Sequence, residues 1–242
     1  SDRRSRRYRP RMGETVEFKS NGSTASGYLA LPASGSGPGL LVLQEWWGVN
    51  PQIKGVADRM AGEGFVALVP DLYHGELAEH TEMDKAAQLM NSLPPDRAAR
   101  DMGGAIDYLL AHDATTGDQV GVIGFCMGGM LTLMITALQG DKVGAAAPFY
   151  GAPLGESEPD WSNLTAPCQG HFAEQDDFFP PDKIKELEAK LKGMGKDVDF
   201  EVYEGTGHAF ANEQDPLGTH DPDAAKKAVA SAVAFLKSKL NG

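Results

Sequence analysis

Cysteine is almost missing from this chain: Cys126 and Cys168 are the two in 242 residues. That excludes a disulfide framework as the organising device and makes a reducing, cytoplasmic setting the expected one. Long apolar runs are missing as well. None approaches the ~20 residues that a membrane-spanning helix needs, so no membrane partner is expected. Positive charge is in deficit: the formal net charge is −12, which argues against nucleic acid as a partner. What remains, 41% hydrophobic and 23% charged residues, is the composition of a globular domain with a full core.

Arginine is crowded into residues 1–13, where Arg3, Arg4, Arg6, Arg7, Arg9 and Arg11 stand among almost nothing apolar. The segment has no apolar stretch of the kind a secretory signal carries. It reads as an N-terminal arm, loose or packed on the acidic body, in preference to a basic arm that touches acid or phosphate. Residues 14–242 read as a single domain.

The densest information lies in residues 120–138, VGVIGFCMGGMLTLMITAL. Val120, Val122 and Ile123 form a short β-branched run, as in a buried strand. Residues 127–138 are apolar on nearly all sides, which predicts a helix covered by other elements. Between them Gly124-Phe125-Cys126-Met127-Gly128 has the G-x-nucleophile-x-G form of a nucleophile elbow, with cysteine in place of the more usual serine. An abrupt strand-to-helix turn would make side chains two positions either side of its tip collide. Gly124 and Gly128 remove that collision, and Gly129 eases packing on the next strand. Cys126 then sits at a helix N-terminus, where dipole and free N–H groups favour a thiolate. The alternative is a glycine-rich turn carrying a buried structural cysteine.

Strand and helix patterns alternate along the rest of the chain. Residues 15–19 and 27–31 read as a hairpin around Ser20-Asn21-Gly22-Ser23. Buried strands are predicted at 40–43, 65–69, 145–150, 168–173 and 200–203. Helices are predicted at 52–62, 96–110, 181–191 and from the N-cap Asp221 to 240. The fold class is therefore α/β, a mostly parallel sheet with helices on both faces and an antiparallel hairpin at its start. Ligands of such sheets bind beyond the carboxyl ends of the strands.

A nucleophilic thiol needs a base, and the base an orienting acid. Of the histidines, His208 follows the last strand in Gly205-Thr206-Gly207-His208. His171 lies inside an apolar strand and reads as a core residue, while His80, His112 and His220 lie in polar stretches and read as surface residues. Asp176 and Asp177 follow the penultimate strand, and spacing does not separate them. Nucleophile, acid, histidine is the chain order of α/β-hydrolases. Glu45 ends a buried strand ahead of two tryptophans and reads equally as a pocket carboxyl or a surface glutamate. The Met127 and Trp46 N–H groups stand where an oxyanion hole is built in that fold. Trp47, Tyr150, Phe178 and Phe179 sit at strand ends, as pocket lining or as plain packing.

Five segments in order, Gln44-Glu45-Trp46-Trp47-Gly48-Val49-Asn50, Pro70-Asp71-Leu72-Tyr73, residues 124–129, Gln175-Asp176 and Gly207-His208-Ala209-Phe210, resemble the dienelactone hydrolase (carboxymethylenebutenolidase) family. The resemblance runs from about residue 13 to the end. It implies an α/β-hydrolase fold with a cysteine–histidine–aspartate triad, and it selects Asp176, because the family's acid follows a glutamine. It also implies that Glu45 pairs with the resting thiol and is displaced when substrate binds. One departure stands out. The best-known members hold a substrate carboxylate with two arginines, and Gly75 and Asn212 occupy those places here. No arginine occurs from Met60 to Asp96 or after Asp101.

The sequence thus predicts a monomeric hydrolase of small esters or lactones with Cys126, His208, Asp176 and Glu45 at its centre, an altered substrate preference, and no metal or other cofactor. The competing reading is a non-catalytic hydrolase-fold binder or redox sensor built on the same thiol.

Overall fold

Asn21 and Gly22 both adopt positive φ (38° and 92°), the backbone of a two-residue hairpin turn whose twist matches its strands. They join β1 (Glu14–Ser20) to β2 (Ser23–Ala30) in antiparallel register, with Ser20 opposite Ser23. This is a computed structural model, and it describes residues 13–241; residues 1–12, nearly all of the arginine-rich arm, lie outside the described residues. After the hairpin come β3 (Gly37–Leu43), α1 (Pro51–Gly62), β4 (Val66–Pro70), α2 (Met83–Ser92), α3 (Pro95–Ala111), β5 (Thr115–Phe125) and α4 (Met127–Gln139). β6 (Val143–Phe149), β7 (Cys168–Gln175), α5 (Pro181–Gly193), β8 (Val198–Gly207) and α6 (Pro222–Leu240) complete the chain.

The eight strands form one sheet in the order β1-β2-β4-β3-β5-β6-β7-β8. β2 pairs antiparallel with β4, and every later pairing is parallel. In β3 the unbroken apolar run is explained by burial on both sides. Leu40 and Val42 face a core shared with α1 and α6, while Leu41 and Leu43 face one shared with α3 and α4. Each such fully buried side chain contributes about 1.5–3 kcal/mol of transfer free energy. Asn50 caps α1 through Ile53 N (3.1 Å) and Asp221 caps α6 through Ala224 N (3.0 Å), with proline in the first turn of each.

Two sequence expectations need correction. α2 was not predicted: it is amphipathic but only ten residues long, starts without a side-chain cap and buries only Ala86 completely. And α4 is not covered all round. Leu131, Leu133, Ile135 and Ala137 are buried, but Met130 and Met134 are half-buried and Leu138 is 63% exposed. Those three residues, four apart, make one stripe along the helix.

Candidate active site

The turn from β5 into α4 places Cys126 at φ 59°, ψ −119°, a conformation that a non-glycine residue adopts only when its surroundings impose it. Side chains at 124 and 128 are what the surroundings forbid. A Cβ on Gly124 would strike the Gly128 carbonyl, and one on Gly128 the carbonyls of Leu43 and Gln44. A Cβ on Gly129 would likewise meet the Phe149 carbonyl of β6. The tip itself is fully hydrogen-bonded: Cys126 N donates to Phe149 O (3.0 Å), and Cys126 O accepts from Gly129 N and Met130 N (2.9 and 3.2 Å).

Two other strand ends converge on this thiol. Asp176 follows β7 and is buried, its Oδ1 accepting from Phe178 N and Phe179 N (2.9 and 3.0 Å). Its Oδ2 lies 2.7 Å from Nδ1 of His208, which follows β8. His208 Nε2 in turn lies 3.1 Å from Cys126 Sγ. Asp177, which spacing left equal to Asp176, is exposed. Burial of His208 works against its charged form, but the hydrogen bonds with Asp176 and Cys126 outweigh it and push the imidazole up to about 10.

Glu45 is buried and lines the same cavity as Cys126. Its Oε2 accepts a hydrogen bond from Asn212 Nδ2 at 2.9 Å, and Oε1 has no partner among the described residues. Desolvation raises its pKa, against the opposing pull of Asn212 and His208. The resting pair implied by the family resemblance, Glu45 with the thiol, is thus not the arrangement here. The thiol faces His208 and Glu45 is held by Asn212.

The cavity above Cys126 has a volume of about 660 Å³ and is lined mostly by apolar side chains. Trp46, Trp47, Phe178 and Phe179 lie in its wall, with the Phe178 and Phe179 rings 5.0 and 5.9 Å from the His208 ring. Tyr150 does not line it. Its ring packs edge-on against His208 (5.3 Å) and Phe210 (5.4 Å), completely buried, so its place is behind the site. The hydrogen bonds of the described residues leave the Met127 and Trp46 N–H groups unused.

His171 is the core residue expected: fully buried, with Nδ1 2.7 Å from the Tyr203 hydroxyl and its pKa lowered to about 3 by desolvation. His80, His112 and His220 are not free surface residues. Each is half-buried, His80 against Trp47 (4.8 Å), His112 against Tyr108 (5.7 Å), and His220 with Nδ1 donating to Phe210 O (3.0 Å). Sequence reasoning missed Asn212 as the partner of Glu45, and it missed the methionines of the cavity, Met90, Met102, Met130 and Met134. The four-residue spacing of Met130, Met134 and Leu138 was the signal available for the latter.

Residues 25–240 match the model of the dienelactone hydrolase family. The chain is 37% identical over 235 residues to Protein usf of Aquifex pyrophilus, covering 95% of this chain and 100% of that one. It is 35% identical, with the same coverage, to a protein of Aquifex aeolicus that carries carboxymethylenebutenolidase as a provisional name. The solved structure of m3DLH superposes with a TM-score of 0.82 at 23% identity, covering 94% of this chain and 98% of that one, which speaks to the fold. A family match over almost the whole described chain, with relatives matched end to end, makes this protein a member of the dienelactone hydrolase family, a hydrolase of carboxylic esters or lactones.

Proposed function

We infer that the chain hydrolyses esters or lactones through a cysteine nucleophile and an acyl-thioester. The observation that carries this reading is the unbroken series of contacts from Asp176 Oδ2 through His208 to Cys126 Sγ, 2.7 and 3.1 Å, opening into an apolar cavity. With His208 favoured as imidazolium, the sulfur is free to act as thiolate. It attacks the carbonyl carbon, forming the S–C bond, and the carbonyl oxygen becomes an oxyanion that accepts from the Met127 and Trp46 N–H groups. Collapse breaks the C–O bond, and His208 Nε2 gives its proton to the departing alkoxide. The neutral imidazole, oriented by Asp176, then takes a proton from water as that water attacks the thioester. The second collapse releases the acid and returns the thiolate facing an imidazolium.

Each step uses groups of this chain, so the reading assigns no metal or other cofactor. A mechanism that depends on a free thiol suits a reducing, cytoplasmic compartment, and both cysteines are unpaired. The chain is read as a monomer acting on a small molecule. The test is turnover of p-nitrophenyl acetate by the protein and by Cys126→Ala. Burst release of one equivalent of nitrophenolate followed by steady turnover, lost in the variant, is the expected result. Turnover that survives the variant, or labelling without turnover, would move Cys126 out of catalysis.

A further inference from the structure

We propose that the cavity holds a long, unbranched, neutral acyl chain, laid along α4 from the thiol towards Leu138, so that the favoured substrates are medium- to long-chain acyl esters. This deepens the ester-hydrolase reading of the same site and rests on it.

Three observations carry the proposal. The cavity is elongated: its wall follows one face of α4 from Met127 through Met130, Met134 and Leu138, with α3 contributing Ala98 and Met102 opposite. From Met127 to Leu138 is eleven helical steps, a run of roughly 16 Å, which matches an extended chain of about a dozen carbons. Second, α4 is apolar all round, as a helix buried on every side would be, yet the Met130–Met134–Leu138 stripe is only partly covered, Met130 and Met134 half-buried and Leu138 exposed. Leu138 (63% exposed) and Phe178 (60%) are the two most exposed large apolar side chains described, and both line this one cavity. Third, methionine supplies much of the lining, and its unbranched, polarisable side chain adapts to a flexible apolar ligand.

The chemistry orients the chain. The leaving oxygen must reach His208 Nε2, so the alcohol part lies on the His208 side, against Phe178 and Phe179. His208 comes from the β8 edge of the sheet, whereas α3 packs over β5, β4 and β1 on the other side of the elbow. The acyl part therefore leads away from His208 into the cleft between α4 and α3. No lysine or arginine lines the cavity among the described residues, which suits a neutral chain.

The test is a p-nitrophenyl ester series, acetate, butanoate, octanoate and dodecanoate, kept below the concentration at which the esters aggregate. Full burial raises binding about fourfold per methylene, and a groove open along one side gives smaller steps, so kcat/KM should rise at least about a hundredfold from acetate to dodecanoate. Glutamates placed along the groove should act in order of distance. Met134→Glu should lower the octanoate-to-acetate and dodecanoate-to-acetate ratios by about tenfold or more. Leu138→Glu, at an exposed position that tolerates charge, should lower the dodecanoate ratio while the butanoate ratio holds. The Cys126→Ala protein, titrated with 2-tetradecanone and followed by tryptophan fluorescence, reads the groove without turnover and should bind it far more tightly than 2-hexanone. A flat chain-length profile with acetate still hydrolysed overturns the acyl groove and leaves the hydrolase reading standing. Tight ketone binding with no ester turned over at any length keeps the groove and removes the hydrolase reading. A self-association that Leu138→Glu abolishes, together with a flat profile, gives the stripe to a second copy of the chain and overturns the proposal.

Discussion

Asn212 Nδ2 donates to Glu45 Oε2 at 2.9 Å, and that bond anchors a buried acid in the wall of the cavity that Cys126 also lines. Burial raises the Glu45 pKa from its ordinary 4.5, so the folded state favours the neutral acid. The sign of the linkage follows. The contribution of a carboxyl raised in the folded state is present below pH 4.5 and is lost as pH rises through the folded value. Glu45→Gln keeps an acceptor for Asn212 and cannot ionise. Its Tm should match the parent at pH 4 and exceed it by a margin that widens towards pH 8. A constant difference across that range would show that Glu45 titrates as it does in the unfolded chain.

Because Glu45 is held by Asn212, freeing it should expose what it does to the thiol. Asn212→Ala removes a buried hydrogen bond, at a cost of about 1–3 kcal/mol, and leaves Glu45 able to turn towards Cys126. Turned out of its buried place, Glu45 can ionise, and inactivation by peroxide should slow in this variant, because a carboxylate next to sulfur disfavours the thiolate that peroxide oxidises. Adding Glu45→Gln to Asn212→Ala should restore the parent's rate. Identical peroxide rates in both variants and the parent would remove Glu45 from control of the thiol.

The two cysteines should differ sharply in reactivity. Cys126 opens into the cavity, whereas Cys168 is buried in β7 with its thiol pushed up to about 12 by desolvation. At pH 8 that leaves about one Cys168 in ten thousand as thiolate. Iodoacetamide on the folded protein should add one carbamidomethyl group by intact mass, and none to Cys126→Ala. The same variant should lose at least about 10⁴-fold in kcat/KM. Two groups added at equal rates would show that the elbow confers no activation.

His208 provides the pH dependence. Its folded pKa of about 10 lies above the ordinary 6.5, so the stability of its pairing is fully present below pH 6.5 and is lost as pH rises through about 10. The acylation limb, kcat/KM for an activated ester, should hold on the alkaline side until about pH 10. Asp176→Asn removes the carboxylate that favours the imidazolium and can invert the tautomer. It should cost on the order of 10³–10⁴ in kcat/KM and bring the alkaline limb down by more than one pH unit. An unmoved limb would assign that titration to another group.

Much of this was legible in the sequence, for physical reasons that differ by residue. Val122 and Ile123 face opposite cores, so a two-sided apolar run had to be a central strand. Gly124 and Gly128 stand where any side chain would meet backbone, which ties the elbow to its motif. Asp176 and Asp177 could not be told apart by spacing, because the difference lies in three dimensions: two backbone N–H groups turn one carboxylate inward. Asn212 was invisible as a partner of Glu45 because 167 residues separate them. Tyr150 looked like pocket lining because it ends a strand, and its positive φ of 34° instead sets it behind His208. α2 has a helical period but is short and lacks a capping side chain, so no start signal marks it in the sequence.

Substrate charge is the remaining expectation, and it follows from where the cations are. The two arginines that clamp a carboxylate in the best-known relatives have no counterpart at Gly75 and Asn212. The nearby arginines do not line the cavity. An amino nitrogen of Arg97 donates to Leu72 O at 3.1 Å, and Arg100 lines a separate surface depression with Asp107 and Lys142. A hydrogen bond to a charged group contributes ~1.5–3 kcal/mol, so two missing clamps forfeit ~3–6 kcal/mol of affinity for a carboxylate. At ~1.4 kcal/mol per tenfold, that is about two to four orders of magnitude in kcat/KM where the loss falls in the transition state. The net charge of −12 adds a weak long-range repulsion that salt screens. Apart from His208, which is engaged with Asp176 and Cys126, a carboxylate entering this cavity would meet Glu45 and apolar side chains. In a matched pair, a dienelactone-type carboxylate and its methyl ester, the neutral ester should therefore be hydrolysed faster at low salt, because an apolar cavity without a clamp returns nothing for the hydration the carboxylate loses. The gap should narrow modestly at high salt. A preference for the free acid would sink the idea and point to a replacement cation. Measuring the same ratio after deletion of residues 1–12, which carry six arginines, and in Arg97→Ala and Arg100→Ala would then find it.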